Sequence, residues 1–122
     1  AAVTIIDTRS HTVAGTIKVE VKGMRASDIT PVGLALTRDG KRAFVTLGRA
    51  NHLAFVDVAS RKVTDLVLVG KRAWSVTLDK SETLALVVNG LSDDMTIVDI
   101  ASAKPLKTVR VGRVPYTAVI VE

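Results

Sequence analysis

The sequence repeats with a period of 42 residues, and the repeat runs without a gap from residue 31 to residue 112. Sliding the chain by this period places apolar residues on apolar residues, Gly on Gly and Asp on Asp. The coinciding identical pairs include Leu36 and Leu78, Ala43 and Ala85, Val45 and Val87, Gly48 and Gly90, Val56 and Val98, and Asp57 and Asp99. A fixed period of this length predicts a fold in which copies of one supersecondary unit stack on one another.

The match continues upstream, but with eight extra residues between the first copy and the second. Asp7 precedes Asp57 by 50 residues, whereas Asp57 precedes Asp99 by 42. The additional residues fall within residues 21–30, which have loop composition and precede Pro31. We therefore predict an elaborated loop at this point of an otherwise regular array.

Each repeat holds four short apolar runs separated by turn residues, and no helical periodicity is present. In the second repeat the runs are residues 32–37, 42–47, 52–58 and 63–69. Four strands in roughly 40 residues is the spacing of a β-propeller blade. The predicted fold is therefore all-β, with four-stranded antiparallel blades whose strands we label a to d from the central channel outward.

The repeat divides the chain into complete and incomplete blades. The predicted parts are strands c and d in residues 1–20, an inserted loop in 21–30, full blades in 31–70 and 73–112, and strand a of a closing blade in 113–122. The total is about 2.75 blades, fewer than the four or more that typically close a propeller. We therefore expect an incomplete ring, which either upstream blades or association with further chains would close.

Composition and charge exclude several classes of protein. The chain has no cysteine, which excludes disulfides and thiolate metal sites. Its net charge of +5 comes from basic residues scattered from Arg9 to Arg113, so no nucleic-acid-binding stripe is expected. Apolar runs such as residues 84–88 are far shorter than the roughly 18 residues of a membrane span. Residues 1–4 show no signal-peptide pattern.

Residue types that could carry catalysis have simpler structural explanations. Asp7, Asp57 and Asp99 are each followed three positions later by Ser, and this spacing favours Asx-type turns over acid–base chemistry. His11 and His52 have no partner at a metal-ligand spacing, so neither a metal site nor a cofactor is predicted. One alternative stays open at the b–c connections, where oxygen-bearing side chains could hold calcium. These side chains are Asn51, Asn89, Asp93 and Asp94.

The connections between strands d and a carry a cation and an aromatic residue at matching positions of successive repeats. Lys71 matches Arg113, and Trp74 matches Tyr116. Either the aromatic residues plug the gap between blades, or they form a binding site at the mouth of the channel, since interfaces favour Arg and aromatic side chains. The candidate binding residues are Lys71, Arg72, Trp74, Arg113, Tyr116, Arg49 and Asn89.

Several phrases of the sequence resemble known propeller families. Ile6-Asp7-Thr8, Asp39-Gly40, Val69-Gly70 and Val111-Gly112 are similar to the YVTN-type repeat. Longer phrases, such as residues 69–74 and 111–116, resemble the C-terminal part of propellers associated with pyrroloquinoline-quinone-dependent alcohol catabolism. The resemblance implies an exported accessory protein, periplasmic or extracellular, that works beside a quinoprotein dehydrogenase. Such motifs specify fold more strongly than function.

These observations favour a non-catalytic binding or scaffold module that recognises a protein partner or a small anionic ligand. The predicted contact surface is the channel mouth together with residues 22–28. Two rivals are a propeller hydrolase of the lactonase kind with a central divalent cation, and a surface or adhesive repeat array.

The strand assignment makes a direct prediction for spectroscopy. Because the gapless period carries no 3.6-residue periodicity, the far-ultraviolet circular dichroism of the chain should show β-structure. A dominant helical signal would contradict the assignment.

Overall fold

The computed structural model describes residues 1–122 and contains ten β-strands and a single 3₁₀ turn at Ala26–Asp28. The strands are β1 Ala2–Asp7, β2 Thr12–Lys18, β3 Pro31–Leu36, β4 Arg42–Leu47, β5 His52–Asp57, β6 Lys62–Leu68, β7 Ala73–Leu78, β8 Leu84–Asn89, β9 Asp94–Asp99 and β10 Lys104–Arg110. None of its helical structure is long enough to cross a membrane. The fold is all-β, as the sequence predicts.

The strands form three antiparallel sheets in which every strand pairs with its neighbours in the sequence. Their orders are β1-β2, β3-β4-β5-β6 and β7-β8-β9-β10. The second and third sheets are complete blades with strands a to d, whereas the first has strands c and d alone. The three sheets do not close into a ring, which confirms the predicted incomplete set of propeller-like blades.

The repeat extends to irregularities of the backbone. A β-bulge lies at the same place in each pairing of strands c and d, opposite Ile5/Ile6 in the first sheet, opposite Phe55/Val56 in the second and opposite Ile97/Val98 in the third. A bulge bends its strand and increases the local twist. The outer edges of the three sheets therefore curve alike.

The repeat also fixes where the chain takes a left-handed conformation. Nine residues other than glycine have positive φ, between 50° and 63°. They occupy equivalent turns: His11, Arg61 and Ala103 between strands c and d; Thr30, Arg72 and Val114 between d and a; Asn51 and Asp93 between b and c; and Glu82, which matches Gly40, between a and b. Because residue type varies within each set, the surrounding hydrogen bonds impose the conformation against its usual steric cost.

The middle sheet buries both of its faces. Alternate side chains of β4 point to opposite neighbours: Ala43 and Val45 pack toward the first sheet, and Phe44 packs toward the third. The ring of Phe44 meets that of Phe55 edge-on, with centroids 4.9 Å apart, and the Arg42 guanidinium lies about 5.4 Å from the Phe44 centroid. Burying one such side chain contributes about 1.5–3 kcal/mol. Neighbouring blades are therefore what makes each sheet stable.

The second and third sheets approach most closely at a glycine. The N–H of Gly33 donates to the Thr46 hydroxyl oxygen at 2.7 Å, and this buried hydroxyl donates to the Trp74 carbonyl at 3.2 Å. A Cβ at position 33 would lie 2.7 Å from that carbonyl oxygen. The hydroxyl thus joins strands a and b of one blade to strand a of the next, and only glycine leaves room for it.

Residues 113–122 correct one prediction, because they form no strand. The sequence predicted strand a of a closing blade here, but no strand b lies beside this segment to pair with it. The segment nevertheless lies against β7, since the Thr77 hydroxyl donates to the Ala118 carbonyl at 2.8 Å and the Lys80 N–H donates to Glu122 Oε2 at 2.9 Å. The segment therefore lies beside β7 in the way that β7 lies beside β3.

The close approach at Gly33 can be tested by adding one methyl group. Gly33→Ala should lower the free energy of unfolding by about 1–3 kcal/mol, because the methyl would collide with backbone that cannot yield easily. Urea denaturation gives the measurement. Gly112→Ala is the matched control, since no atom lies within 4 Å of its added Cβ, and a loss of similar size there would contradict the explanation.

Candidate functional site

The connections between strands d and a meet the turns between strands b and c on one face of the molecule. Main-chain hydrogen bonds hold them together: Gly48 N–H donates to the Thr30 carbonyl at 2.7 Å, and Gly90 N–H donates to the Arg72 carbonyl at 3.0 Å. We call this surface the mouth face. It comprises residues 19–30, 69–72 and 111–115 of the d–a connections and residues 48–51 and 90–93 of the b–c turns.

A side-chain clamp fixes the mouth face in each of the last two repeats. Asn51 Oδ1 accepts the backbone N–H of Arg72 at 2.9 Å, and Asp93 Oδ1 accepts that of Val114 at 2.9 Å. All four of these residues have positive φ. The sequence offered Asn51 and Asp93 as candidate calcium ligands, but the structure uses one oxygen of each to hold the backbone.

Trp74 and Tyr116 lie next to each other at this face. Their ring centroids are 5.8 Å apart and the rings are tilted by 48°. Trp74 is half-buried, whereas Tyr116 is 70% exposed. Beside them opens a groove of about 330 Å³ lined by Arg72, Trp74, Gly90, Leu91, Val114, Pro115 and Tyr116. Both rings therefore line one open groove.

Four cations of the mouth face have no carboxylate partner. Arg49, Lys71 and Arg113 are exposed, and Arg72 lines the groove. None of the four forms a salt bridge or stacks on an aromatic ring, since the three salt bridges of the chain and its cation–π contacts involve other cations.

The acidic residues of the mouth face are already engaged within the chain. Asp28 pairs with Arg25 at 3.2 Å, and Asp93 accepts the backbone bond of the clamp. Asp94 Oδ1 accepts hydrogen bonds from the Ser92 hydroxyl and the Asn89 amide. The face consequently offers unpaired positive charge around an apolar groove.

Asn89 does not belong to the binding surface, which corrects the sequence-based assignment. Its side chain is fully buried, and Nδ2 donates to Asp94 Oδ1 at 2.8 Å and to the Thr96 hydroxyl at 3.0 Å. It lies beneath Gly70, where an added Cβ would come within 2.5 Å of Nδ2. No ligand at the mouth face can reach it, so its role is in the packing of the blades.

Part of the groove lining was not predicted from the sequence. Leu91, Val114 and Pro115 line it but were not candidate residues. The available signal was an apolar residue inside a polar turn, as at Leu91 between Gly90 and Ser92. Apolar turn residues are ordinary on protein surfaces one at a time, so only the fold shows that these three come together.

The repeated aspartates lie on the opposite face, where they close the turns between strands c and d. The side-chain oxygens accept backbone N–H groups three positions on, in the pairs Asp7 with Ser10, Asp57 with Ser60 and Asp99 with Ser102, at 3.2, 2.9 and 2.8 Å. Hydrogen bonds from Arg9 to Asp7, and from the paired serines to Asp57 and Asp99, lower the pKa of these carboxyl groups. The predicted Asx-type turns are confirmed.

Asp79 closes the turn between β7 and β8 in the same manner. It accepts hydrogen bonds from the Ser81 hydroxyl at 2.6 Å and from the backbone N–H groups of Thr83 and Leu84 at 2.8 and 2.9 Å. These bonds, with that of Ser81 the strongest, lower the pKa of Asp79 to about 2. Its carboxylate is therefore a structural anion.

Metal ligands do not converge anywhere in the chain. No group of three His, Cys, Asp or Glu side chains lies close enough to hold an ion together. Of the two histidines, His52 hydrogen-bonds through Nδ1 to the Ala50 carbonyl at 2.5 Å, and His11 lies exposed in a turn.

This architecture defines a β-repeat domain with propeller-like blades. The chain belongs to the choice-of-anchor I domain family, whose model matches residues 3–111. This family differs from the YVTN-type and quinone-associated families that the sequence phrases resemble, and the β-rich repeat fold is the part of that resemblance that is confirmed.

The fold is also similar to that of a solved structure, Kuenenia stuttgartiensis hydrazine synthase. The two share a TM-score of 0.81 at 19% sequence identity, over 93% of this chain and 31% of that one. The chain thus spans about a third of the length of that structure, and the likeness concerns the fold alone. No curated protein matches the chain in sequence.

The depressed carboxyl pKa values predict acid sensitivity. A folded-state pKa below that of the unfolded chain contributes stability above about pH 4, which is lost as pH falls through the folded value. The urea midpoint should therefore drop between about pH 4 and pH 2, and Asp79→Asn should reduce this dependence. Asp65→Asn is the charge-matched control, because the Asp65 carboxylate accepts no side-chain hydrogen bond in the structure. An equal reduction in both variants would contradict the role of Asp79.

Proposed function

We propose that this chain is a non-catalytic binding module of a surface or exported protein, and that its mouth face recognises an acidic partner. One observation carries the proposal: an apolar groove opens on a face where four cations are unpaired and the carboxylates are engaged internally. Charge of one sign around an apolar centre is the composition of a recognition surface.

The positions of the carboxylates support a binding role over a catalytic one. Asp7, Asp57, Asp79 and Asp99 accept backbone N–H groups in turns on the face opposite the groove. Acid–base chemistry at neutral pH requires groups whose pKa is tuned toward 7, but the shifts at these residues run the other way. Their chemistry is that of turn formation.

The family supports an exported setting, since choice-of-anchor domains occur in surface or exported proteins. The resemblance of residues 69–74 and 111–116 to quinone-associated propellers adds a more specific expectation, an accessory role in the periplasm beside a quinoprotein alcohol dehydrogenase. That role requires a protein partner, which the mouth face could bind.

The open ends of the blade array support further association. Strand β1 pairs with β2 alone, and the outward side chains of β3 are exposed. Val32, Leu34 and Leu36 have exposed fractions of 40%, 47% and 54%. In the third sheet, the strand equivalent to β3 is β7, and it packs against β4 of the preceding blade. We propose that further blades, from the same polypeptide or from other copies, cover this surface in the assembled protein.

A defined acidic polymer tests the charge of the mouth face. Poly-glutamate should bind the chain with an affinity that falls as salt is raised. The double variant Arg72→Ala, Arg113→Ala should bind roughly tenfold more weakly, since two rim charges are lost. Isothermal titration calorimetry at two salt concentrations gives the measurement.

The matched control for this experiment is Lys62→Ala, Lys104→Ala. This variant removes the same charge from the starts of β6 and β10, at the opposite face. Equal weakening in the two double variants would show that binding follows net charge only, and the proposal for the mouth face would then be wrong.

A further inference from the structure

We infer that the groove beside Trp74 and Tyr116 takes an aromatic side chain from an acidic segment of a protein partner. The inference rests on the proposed function of the mouth face and adds to it the kind of residue that is recognised. It depends on the exposure, shape, charge and rigidity of the groove.

The groove is bordered by exposed apolar side chains. Leu91, Val114 and Tyr116 come from two different connections, and their exposed fractions are 70%, 66% and 70%. Scattered apolar residues need no explanation on a protein surface, whereas apolar residues gathered around one groove and rimmed by cations mark an interaction site. This clustering indicates that a partner covers the groove.

The shape of the groove favours a protein segment over a small molecule. Sites for small molecules enclose most of the ligand and direct several polar groups at it. This groove is bounded on one side by residues that are two-thirds or more exposed, and Arg72 is the only charged residue in its lining. A side chain projecting from a larger surface fits such a site, because the rest of the partner shields the exposed rim.

The arrangement of the two rings favours an aromatic occupant. Trp74 and Tyr116 form an aromatic pair tilted by 48° with centroids 5.8 Å apart, and both rings line the groove. A third ring can pack edge-to-face or offset against them, which are the preferred aromatic geometries. Arg72 in the same lining can lie over the incoming ring as a cation–π partner.

The charge around the groove specifies the residues that flank the aromatic one. Lys71 and Arg113 are the sequence neighbours of the lining residues Arg72 and Val114 and form no salt bridge, and the Asp93 carboxylate accepts the Val114 backbone N–H. Asp or Glu beside the aromatic residue would pair with these cations. Basic flanking residues would be repelled.

The walls of the groove are fixed before any partner arrives. The backbone on one side is held by the bond from Arg72 to Asn51, and on the other side by the bond from Val114 to Asp93. Trp74 is further held through its carbonyl by the Thr46 hydroxyl. A rigid site loses little conformational entropy on binding, which favours recognition of a short segment.

The test uses Trp74 as the reporter, because it is the only tryptophan of the chain. The probe is the capped peptide Asp-Glu-Phe-Glu-Asp, titrated against the full chain while tryptophan emission is followed. We expect saturable binding with a change in emission. Replacing Phe by Ala in the peptide should weaken binding about tenfold or more, since the burial of the ring is lost.

A double-mutant cycle identifies the groove. Tyr116→Ala should weaken binding of the Phe peptide but leave the Ala peptide and poly-glutamate unaffected, so that the two changes are strongly non-additive. Because Tyr116 is 70% exposed, this variant should keep its fold, which urea denaturation checks. Leu106→Ala, at a residue 61% exposed on β10, is the control for loss of an apolar side chain elsewhere.

The outcomes distinguish failure of the aromatic site from failure of the proposed binding of acidic partners. If poly-glutamate binds but the Phe and Ala peptides bind equally, the mouth face binds acidic partners and the aromatic site is wrong. If phenylacetate binds as tightly as the Phe peptide, the groove is a small-molecule site and the inference is again wrong. If neither poly-glutamate nor the peptides bind, the proposed function fails together with the inference.

Discussion

The structure depends on the packing of each blade against the next. A sheet such as β3-β4-β5-β6 carries apolar side chains on both faces, so it cannot be stable with water on either side. This requirement explains why Phe44 and Val45, adjacent in sequence, both lie in cores. It also explains Gly33 and Thr46, which let two innermost strands approach until one hydroxyl bonds both. The groove of the candidate site forms where the third sheet meets residues 114–116, which follow β10.

In each repeat the backbone conformation of the turns is the same, whereas the side chains that the turns carry differ. The left-handed turn between strands d and a recurs at Thr30, Arg72 and Val114, three residues that differ in polarity and charge. Asn51 and Asp93 hold the last two of these turns by equivalent bonds. Because the turn conformation is fixed while its side chain differs, each blade places a different side chain on the mouth face. The groove therefore takes its cation from one repeat and most of its apolar lining from the next.

The features that repeat could be predicted from the sequence. Features that occur once were predicted less accurately. The repeat places the ten strands and the Asx-type turns, because each is visible as a pattern in two or three copies, and the inserted loop shows as a single interruption of the period. Residues 113–122 were predicted as a strand, but strand formation depends on a partner that the local sequence cannot supply. Asn89 was placed at the mouth since it ends strand b, whereas the alternation along β8 turns it into the core. Leu91 and Val114 are 23 positions apart, and only the fold brings them together.

The polar cluster of Asn89, Asp94 and Thr96 makes one blade interface different from the other. Its equivalents one repeat earlier are Leu47, His52 and Ala54, so the interface between the second and third sheets is chemically distinct from the one before it. The cluster fits beneath Gly70 because that residue has no side chain, whereas the matching position of the first sheet is Glu20. The third sheet consequently cannot dock on the first as it does on the second without pressing a carboxylate toward Asp94. Misassembly of units is a characteristic failure in the folding of repeat proteins, and the difference between the two interfaces disfavours docking of the third sheet on the first.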